Sequence, residues 1–178
     1  LDSFQPVAYG AWVDVMYGVR ARYWNAGHIL GSASIEIEIA DEGAAGKPLR
    51  ILASGDIGPD EKLLQSDPEA PAGFDYVIIE STYGAVDRPT TSHDERRRRL
   101  AAEVNDAAAA RGALLIPAFA VERTQELIVD LIDLMDRGAV PKAQVFLDSP
   151  LAIHATDVFR EHAAELARNI DMIRLLES

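Results

Sequence analysis

The chain has 178 residues, 48% of them apolar and 26% charged, enough to bury one good core or two small ones that share an interface. It has no cysteine, which excludes disulfides, thiolate metal sites and a cysteine nucleophile, so any metal must be held by His, Asp or Glu. The 29 acidic against 17 basic residues, a formal net charge of −12, count against a non-specific nucleic-acid binder but leave room for an enzyme that meets a phosphodiester at a local patch.

The first half reads as strands. Residues 19–23 alternate apolar with basic or aromatic side chains, and residues 34–39 alternate strictly, Ile35, Ile37 and Ile39 against Glu36 and Glu38, which predicts a half-buried strand with a wet face. Residues 41–47 are expected to be a solvated hairpin connection, and residues 49–53 a further strand. The unbroken apolar run 76–79 predicts a strand covered on both faces.

From Ser92 the period changes from two to 3.6. Ser92-His93-Asp94-Glu95 fits a capping box, with Glu95 reaching back, and opens a helix with a stripe at Leu100, Val104 and Ala107 or Ala108. Residues 113–116 predict a short strand. Residues 121–135 predict a helix with its inward stripe at Thr124, Leu127, Ile128, Leu131, Leu134 and Met135, ended by Gly138 and Pro141. Residues 144–147 predict another strand, and Ser149-Pro150 caps a helix with a stripe at Leu151, Ala155, Val158, Phe159 and His162. The alternation implies parallel strands joined by crossover helices, with a domain boundary within 83–91.

Three strand ends carry chemistry. Ala26-Gly27-His28-Ile29-Leu30-Gly31-Ser32-Ala33 places a His between glycines, which permit a sharp turn and close approach to a ligand; His28 is either a metal donor or a hydrogen-bonded turn residue. Ile51-Leu52-Ala53-Ser54-Gly55-Asp56-Ile57-Gly58 ends a strand in a carboxylate that is either a bridge between two cations or an Asx-turn cap. Glu80 directly follows four apolar residues, as a functional or a capping acid.

Together the segments Gly27-His28-Ile29-Leu30-Gly31-Ser32-Ala33, Ser54-Gly55-Asp56-Ile57-Gly58 and Glu80-Ser81-Thr82-Tyr83-Gly84 resemble successive signatures of the β-CASP branch of the metallo-β-lactamase superfamily, the RNA-processing nucleases. Further matches follow in order at Ile116-Pro117-Ala118-Phe119-Ala120-Val121-Glu122-Arg123-Thr124-Gln125-Glu126 and Leu147-Asp148-Ser149-Pro150-Leu151-Ala152. The resemblance implies an α/β chain in which residues 1–85 are part of a metallo-β-lactamase αββα core and residues 86–178 the start of a parallel-sheet β-CASP domain, with RNA bound in the cleft between them. It makes His28 a metal ligand, Asp56 a metal-bridging and catalytic residue, and Glu80 the first acidic motif of the inserted domain, which supports a His supplied later in the chain. The implied cofactors are two divalent cations, with Zn²⁺ expected.

The departures are equally specific. The family's principal motif, two His followed by Asp-His, belongs upstream of His28, and no His precedes His28 here. The later His motifs belong beyond residue 178. His93, His154 and His162 do not fit them and read as surface or packing residues. With one His and one bridging Asp, the chain is expected to be inactive alone and to hold metal weakly or not at all. Its start at Leu1 and its end in an apolar-patterned helix read as a piece of a longer chain.

The helix opening near residue 121 lacks a Ser, Thr, Asp or Asn cap in 118–120 and carries Arg123 in its first turn, where the dipole disfavours a cation. Arg123 is therefore expected either to face a substrate phosphate, with Ser149 as a second candidate, or to pair with Glu80 or Asp148. The run Arg96 to Arg99 surrounds a helix instead of forming a stripe and reads as a solvated face. The leading expectation is a metal-dependent ribonuclease in the parent protein. The alternatives are a metallo-β-lactamase-fold hydrolase of small thioesters or phosphodiesters, and a non-catalytic β-CASP scaffold subunit. RNA is the expected partner and a homo-oligomer is compatible. No apolar run approaches the roughly 20 residues of a membrane span, and the N-terminus lacks a signal-peptide layout, so the cytoplasm is the expected location.

Overall fold

The computed structural model describes residues 4–40, 46–87 and 91–166. The chain divides into two compact units, Leu1–Ala85 and Val86–Ser178. It is an α/β chain: a five-stranded sheet in the first unit and three α-helices in the second. Among the described residues no helix is long and apolar enough to cross a membrane. Most of the expected 41–47 connection lies outside the described residues, as does the end of the chain.

The sheet runs in chain order: β1 (Trp12–Met16), β2 (Val19–Asn25), β3 (Ala33–Ile39), β4 (Leu49–Ala53) and β5 (Tyr76–Ile78). The first four form an antiparallel meander, and β5 adds in parallel beside β4. Strict alternation in β3 fixes its register, since a slip of one residue would exchange the faces. Val19↔Ile39↔Leu49, Ala21↔Ile37↔Ile51 and Tyr23↔Ile35↔Ala53 become three apolar rows.

The opposite face is wet at its edges but not at its centre. Glu36 is fully buried, its Oε2 accepting from Arg22 Nη2 (2.7 Å) and Trp24 Nε1 (2.8 Å) and its Oε1 from Arg50 Nη2 (2.6 Å). Arg22 also stacks over Trp12 and Trp24, 4.4 Å from each ring centre. Two guanidiniums and the Trp24 indole enclose the carboxylate, so alternation found the face correctly and overestimated the hydration of its middle residue. Burial pushes the Glu36 carboxyl up, but the hydrogen bonds from Arg50, Arg22 and Trp24 more than offset this and leave it below the usual range.

The run 76–79 differs from expectation. β5 is short and occupies the sheet edge, and Tyr76, Val77, Ile78 and Ile79 are 55–66% exposed. An apolar run reports what a strand can bury, but cover has to come from another element, and none of the described residues provides it.

The second unit holds α1 (His93–Ala109), α2 (Arg123–Asp136) and α3 (Pro150–Glu161), followed by one 3₁₀ turn. Ser92 caps α1 as expected, its Oγ accepting from Glu95 N–H, but Glu95 does not complete the box: its carboxylate takes Arg98 and Arg99 instead. Ser149 caps α3, accepting from Ala152 N–H at 3.3 Å, with Pro150 at the first helical position.

The inward faces shift. In α2 the buried side chains are Thr124, Gln125, Glu126, Val129, Asp130 and Leu134, while Leu127, Ile128, Leu131 and Met135 are only half-buried. For Glu126 and Asp130 the reason lies on α1: Arg96 and Arg97 reach α2 and place guanidiniums on the two oxygens of Asp130 (2.9 and 2.7 Å), and Arg96 also meets Glu126 at 3.1 Å; Gln125 instead donates to Thr156 Oγ1 of α3 at 2.9 Å and Thr124 to Phe119 O at 2.8 Å. Ion pairing turns a polar stripe inward. Half of the arginine run is therefore interhelical and only Arg98 and Arg99 form the solvated face. In α3 the buried residues are Ala152 and Phe159, whereas Leu151 and Val158 face solvent.

Among the described residues the second unit contains no strand. Residues 113–116 and 144–147 carry the apolar content of strands, with Leu115 91% and Phe146 83% exposed, but not the ladder hydrogen bonds that define one.

Candidate metal centre

The His28 turn follows directly from the end of β2. Gly27 (φ +62°) and Gly31 (φ +81°) both occupy the left-handed region, which reverses the chain within a few residues. Asn25 Oδ1 accepts from Gly27 N–H at 2.9 Å, and Ser32 Oγ accepts from His28 N–H at 2.9 Å and from Ile29 N–H at 3.2 Å. The His28 carbonyl accepts from Lys62 Nζ. Every one of these bonds ends on a backbone atom of the turn, so the half-buried imidazole is not consumed in building it.

The Asp56 turn leaves β4 through buried Ser54 and left-handed Gly55 (φ +58°). It is fixed at Ile57, whose N–H donates to Glu80 Oε1 at 2.7 Å, and at Gly58, whose N–H donates to Ala26 O at 2.8 Å. Asp56 itself is exposed, and its carboxylate holds none of the hydrogen bonds that shape the turn.

The two turns are packed backbone to backbone. A Cβ at Gly58 would overlap the Gly27 carbonyl group and come within 2.8 Å of His28 N, so only glycine allows this approach. Gly27 is packed against the 66–68 segment, where its own Cβ would lie 2.9 Å from Pro68 N.

Glu80 follows β5 and joins the third motif to the second. Besides Ile57 N–H, it takes Thr82 N–H at 3.4 Å on its other oxygen, and its own N–H donates to Ser54 Oγ at 3.0 Å. The Thr82 hydroxyl, then the Ile57 amide, hold its carboxyl below the usual range. The structure thus brings the turns of His28, Asp56 and Glu80 into one neighbourhood at the ends of β2, β4 and β5.

In kind, an imidazole and an uncommitted carboxylate are what Zn²⁺ takes; in number they fall short of roughly three protein ligands per ion. Among the described residues no group of three or more His, Asp or Glu is placed to hold a metal.

The remaining candidates belong to the second unit. The first turn of α2 has no side-chain cap, as expected, and its N-cap residue Glu122 sits at φ +69°. Arg123 donates from Nη1 to Glu126 Oε2 at 2.9 Å, one turn along its own helix, instead of pairing with Asp148. Ser149 uses its Oγ as the α3 cap. Of the other histidines, His93 begins α1, His154 is exposed on α3, and His162 pairs through Nδ1 with Glu165 Oε1 at 2.7 Å.

Sequence reasoning missed Ser32, Ser54 and Lys62. A hydroxyl immediately beside Gly31 or Gly55 at a strand end is a signal for local side-chain to backbone bonding that could have found the two serines. Nothing near Lys62 announces its role.

The Beta-Casp domain family model matches residues 124–177. A ribonuclease of Thermus thermophilus is 35% identical over 152 residues, covering 85% of this chain and 32% of that protein. An RNase J-like protein of Methanocaldococcus jannaschii is 34% identical over 151 residues, covering 84% of this chain and 34% of that protein. Subunit 3 of the cleavage and polyadenylation specificity factor of Dictyostelium discoideum is 36% identical over 133 residues, 74% of this chain and 16% of that protein. The chain spans about one third of the length of the first two and a smaller share of the third. With the five motifs in order, the Beta-Casp match over residues 124–177 and these relatives aligned to most of the chain, the protein is similar to the ribonucleases of the β-CASP branch of the metallo-β-lactamase family.

Proposed function

We propose that the full-length protein is a metal-dependent ribonuclease in which His28 binds one of two divalent cations and Asp56 bridges both. The observation that carries this is the direct contact of the two donor-bearing turns, Gly58 N–H on Ala26 O at 2.8 Å with no room for a side chain between them. When bound, the ions supply Lewis acidity toward a phosphodiester and an activated water. The chain's own residues present the donors: Asn25, Ser32 and Lys62 hold the His28 backbone, while Glu80 and Gly58 hold the Asp56 turn. Relatives named as ribonucleases favour RNA over a small thioester as substrate. Arg123, half-exposed beside an uncapped helix start, is assigned to a substrate phosphate despite its bond to Glu126, which occupies one edge of the guanidinium; Ser149 is the second such candidate. The site acts in the cytoplasm and takes Zn²⁺. Metal content and RNA cleavage of the full-length protein, measured beside Asp56→Ala, test the reading. Loss of both in the variant is expected; equal cleavage by the two would remove Asp56 from the chemistry.

A further inference from the structure

Glu80 stands at the junction of two strand ends, and its hydrogen bonds run to the Asp56 turn. Ser54 is fixed at each of its polar atoms: N–H to Ile78 O (2.9 Å), carbonyl from Ser34 Oγ (2.8 Å), and Oγ between Glu80 N–H (3.0 Å) and Gly55 O (2.6 Å). Ser34 and Ser54 are both buried, so the bond between them, which anchors the relay across the ends of β3, β4 and β5, is shielded from competing water. The Glu80 carboxylate then reaches over the turn to Ile57 N–H at 2.7 Å. Asp56 lies between two anchored points, Ser54 before it and Ile57 after it, and bears none of the load itself.

We propose that Glu80 and Ser54 are positioning residues for the bridging carboxylate: Ser54 orients Glu80, and Glu80, acting as a hydrogen-bond acceptor for the Ile57 amide, fixes Asp56 where two cations can share it. The proposal rests on the metal-dependent reading above. It gives Glu80 a task within this chain, distinct from support of a histidine supplied elsewhere, and that task requires an acceptor oxygen at the Oε1 position, not a negative charge. A carbonyl oxygen of glutamine meets the requirement and a methyl group does not.

Two readouts on the full-length protein separate the parts. Hydrogen exchange at the Ile57 amide reports the clamp with or without metal, and chelator competition for Zn²⁺ reports its consequence. Glu80→Ala is expected to speed Ile57 exchange at least tenfold and weaken Zn²⁺ retention about tenfold, with the β3 and β4 amides unchanged as proof of folding. Glu80→Gln is expected to keep both within about threefold of the parent. Ser54→Ala, which leaves the carboxylate in place, is expected to move both in the same direction as Glu80→Ala, and it serves as the second variant should Glu80→Ala fail to fold. If Glu80→Gln is as impaired as Glu80→Ala, or if Ile57 exchange is unchanged in Glu80→Ala or in Ser54→Ala, the clamp is overturned. If instead Asp56→Ala retains Zn²⁺ like the parent protein while Ile57 exchange responds as described, the metal reading has failed and the clamp has not.

Discussion

Replacing Gly58 with alanine isolates the contact on which the candidate centre depends. The φ of Gly58 lies outside the left-handed region, so alanine there meets no backbone strain of its own and its whole effect is the added methyl. That methyl overlaps the carbonyl of Gly27 and approaches His28 N to 2.8 Å, and each neighbour is backbone that no rotamer change can move. Relief requires the two turns to separate by roughly 1 Å, which breaks the 2.8 Å bond from Gly58 N–H to Ala26 O. The expected stability loss is about 1–3 kcal/mol by the usual cost of overpacking. For a site whose donors must meet at fixed spacing, a displacement of roughly 1 Å costs about 100-fold in turnover. Gly10→Ala is the matched control: φ is +74° and nothing lies within 4 Å, so it carries strain of about 1–2 kcal/mol without touching the turns. Urea denaturation with Zn²⁺ titration and RNA turnover of the full-length protein compares the two. Gly58→Ala with turnover and Zn²⁺ affinity no worse than Gly10→Ala would refute the reasoning that backbone contact sets the His28 to Asp56 spacing.

Glu36→Ala leaves Arg22 and Arg50 partly buried without their shared carboxylate and is expected to cost about 3 kcal/mol in urea denaturation. Because the folded Glu36 pKa is lowered, its contribution is complete above the unfolded value of about 4.3 and is lost as pH falls through the folded value; Glu36→Gln should flatten that acid limb. In the second unit, Asp130→Ala is expected to cost about 3 kcal/mol, since it removes the buried carboxylate that Arg96 and Arg97 share and leaves them only Glu126 and Asp133, while Arg98→Ala, on an exposed pair, stays within about 0.5 kcal/mol. Equal effects would show that the arginine run acts as one surface patch. The His162 imidazole, raised by its bond to Glu165 and by that charge, should titrate above about 6.5 by NMR and return toward it in Glu165→Gln. Any stability it adds is present at pH below the unfolded value and is lost as pH rises through the folded one.

What could be read in the sequence was what local pattern decides. β2, β3 and β4 follow from alternation, α1 and α3 from Ser92 and Ser149 caps, and the three motif turns from glycines at strand ends. What could not be read depends on partners distant in sequence. β1 exists because Trp12 and Val13 find Arg22 and Ala21 across the ladder, and its own five residues scarcely alternate. The buried centre of the wet face needs Arg22, Glu36 and Arg50 to converge from three strands. The inward face of α2 is polar because Arg96 and Arg97, about 30 positions earlier, meet Glu126 and Asp130, and because Thr156, 31 positions later, meets Gln125. The runs 76–79, 113–116 and 144–147 show the same limit from the other side: composition can state that a segment suits a strand interior, but a ladder needs a second strand, and exposure of Leu115 and Phe146 shows that none is present among the described residues.

The division of labour within the motifs also explains why their donors looked ambiguous one at a time. A side chain that closes its own turn commits lone pairs and orientation to backbone amides, so capping the turn and bridging two cations compete for the same carboxylate. In the Asp56 turn the closing bonds come from Ser54, Glu80 and Gly58, and in the His28 turn from Asn25, Ser32 and Lys62. Both potential donors are held in place by groups other than themselves. A turn under selection only for its shape has no reason to import a carboxylate from the segment after β5 when Asp56 could cap it directly. Sparing Asp56 that task is what a ligand requires, because it must arrive at the metal deprotonated, uncommitted and already oriented.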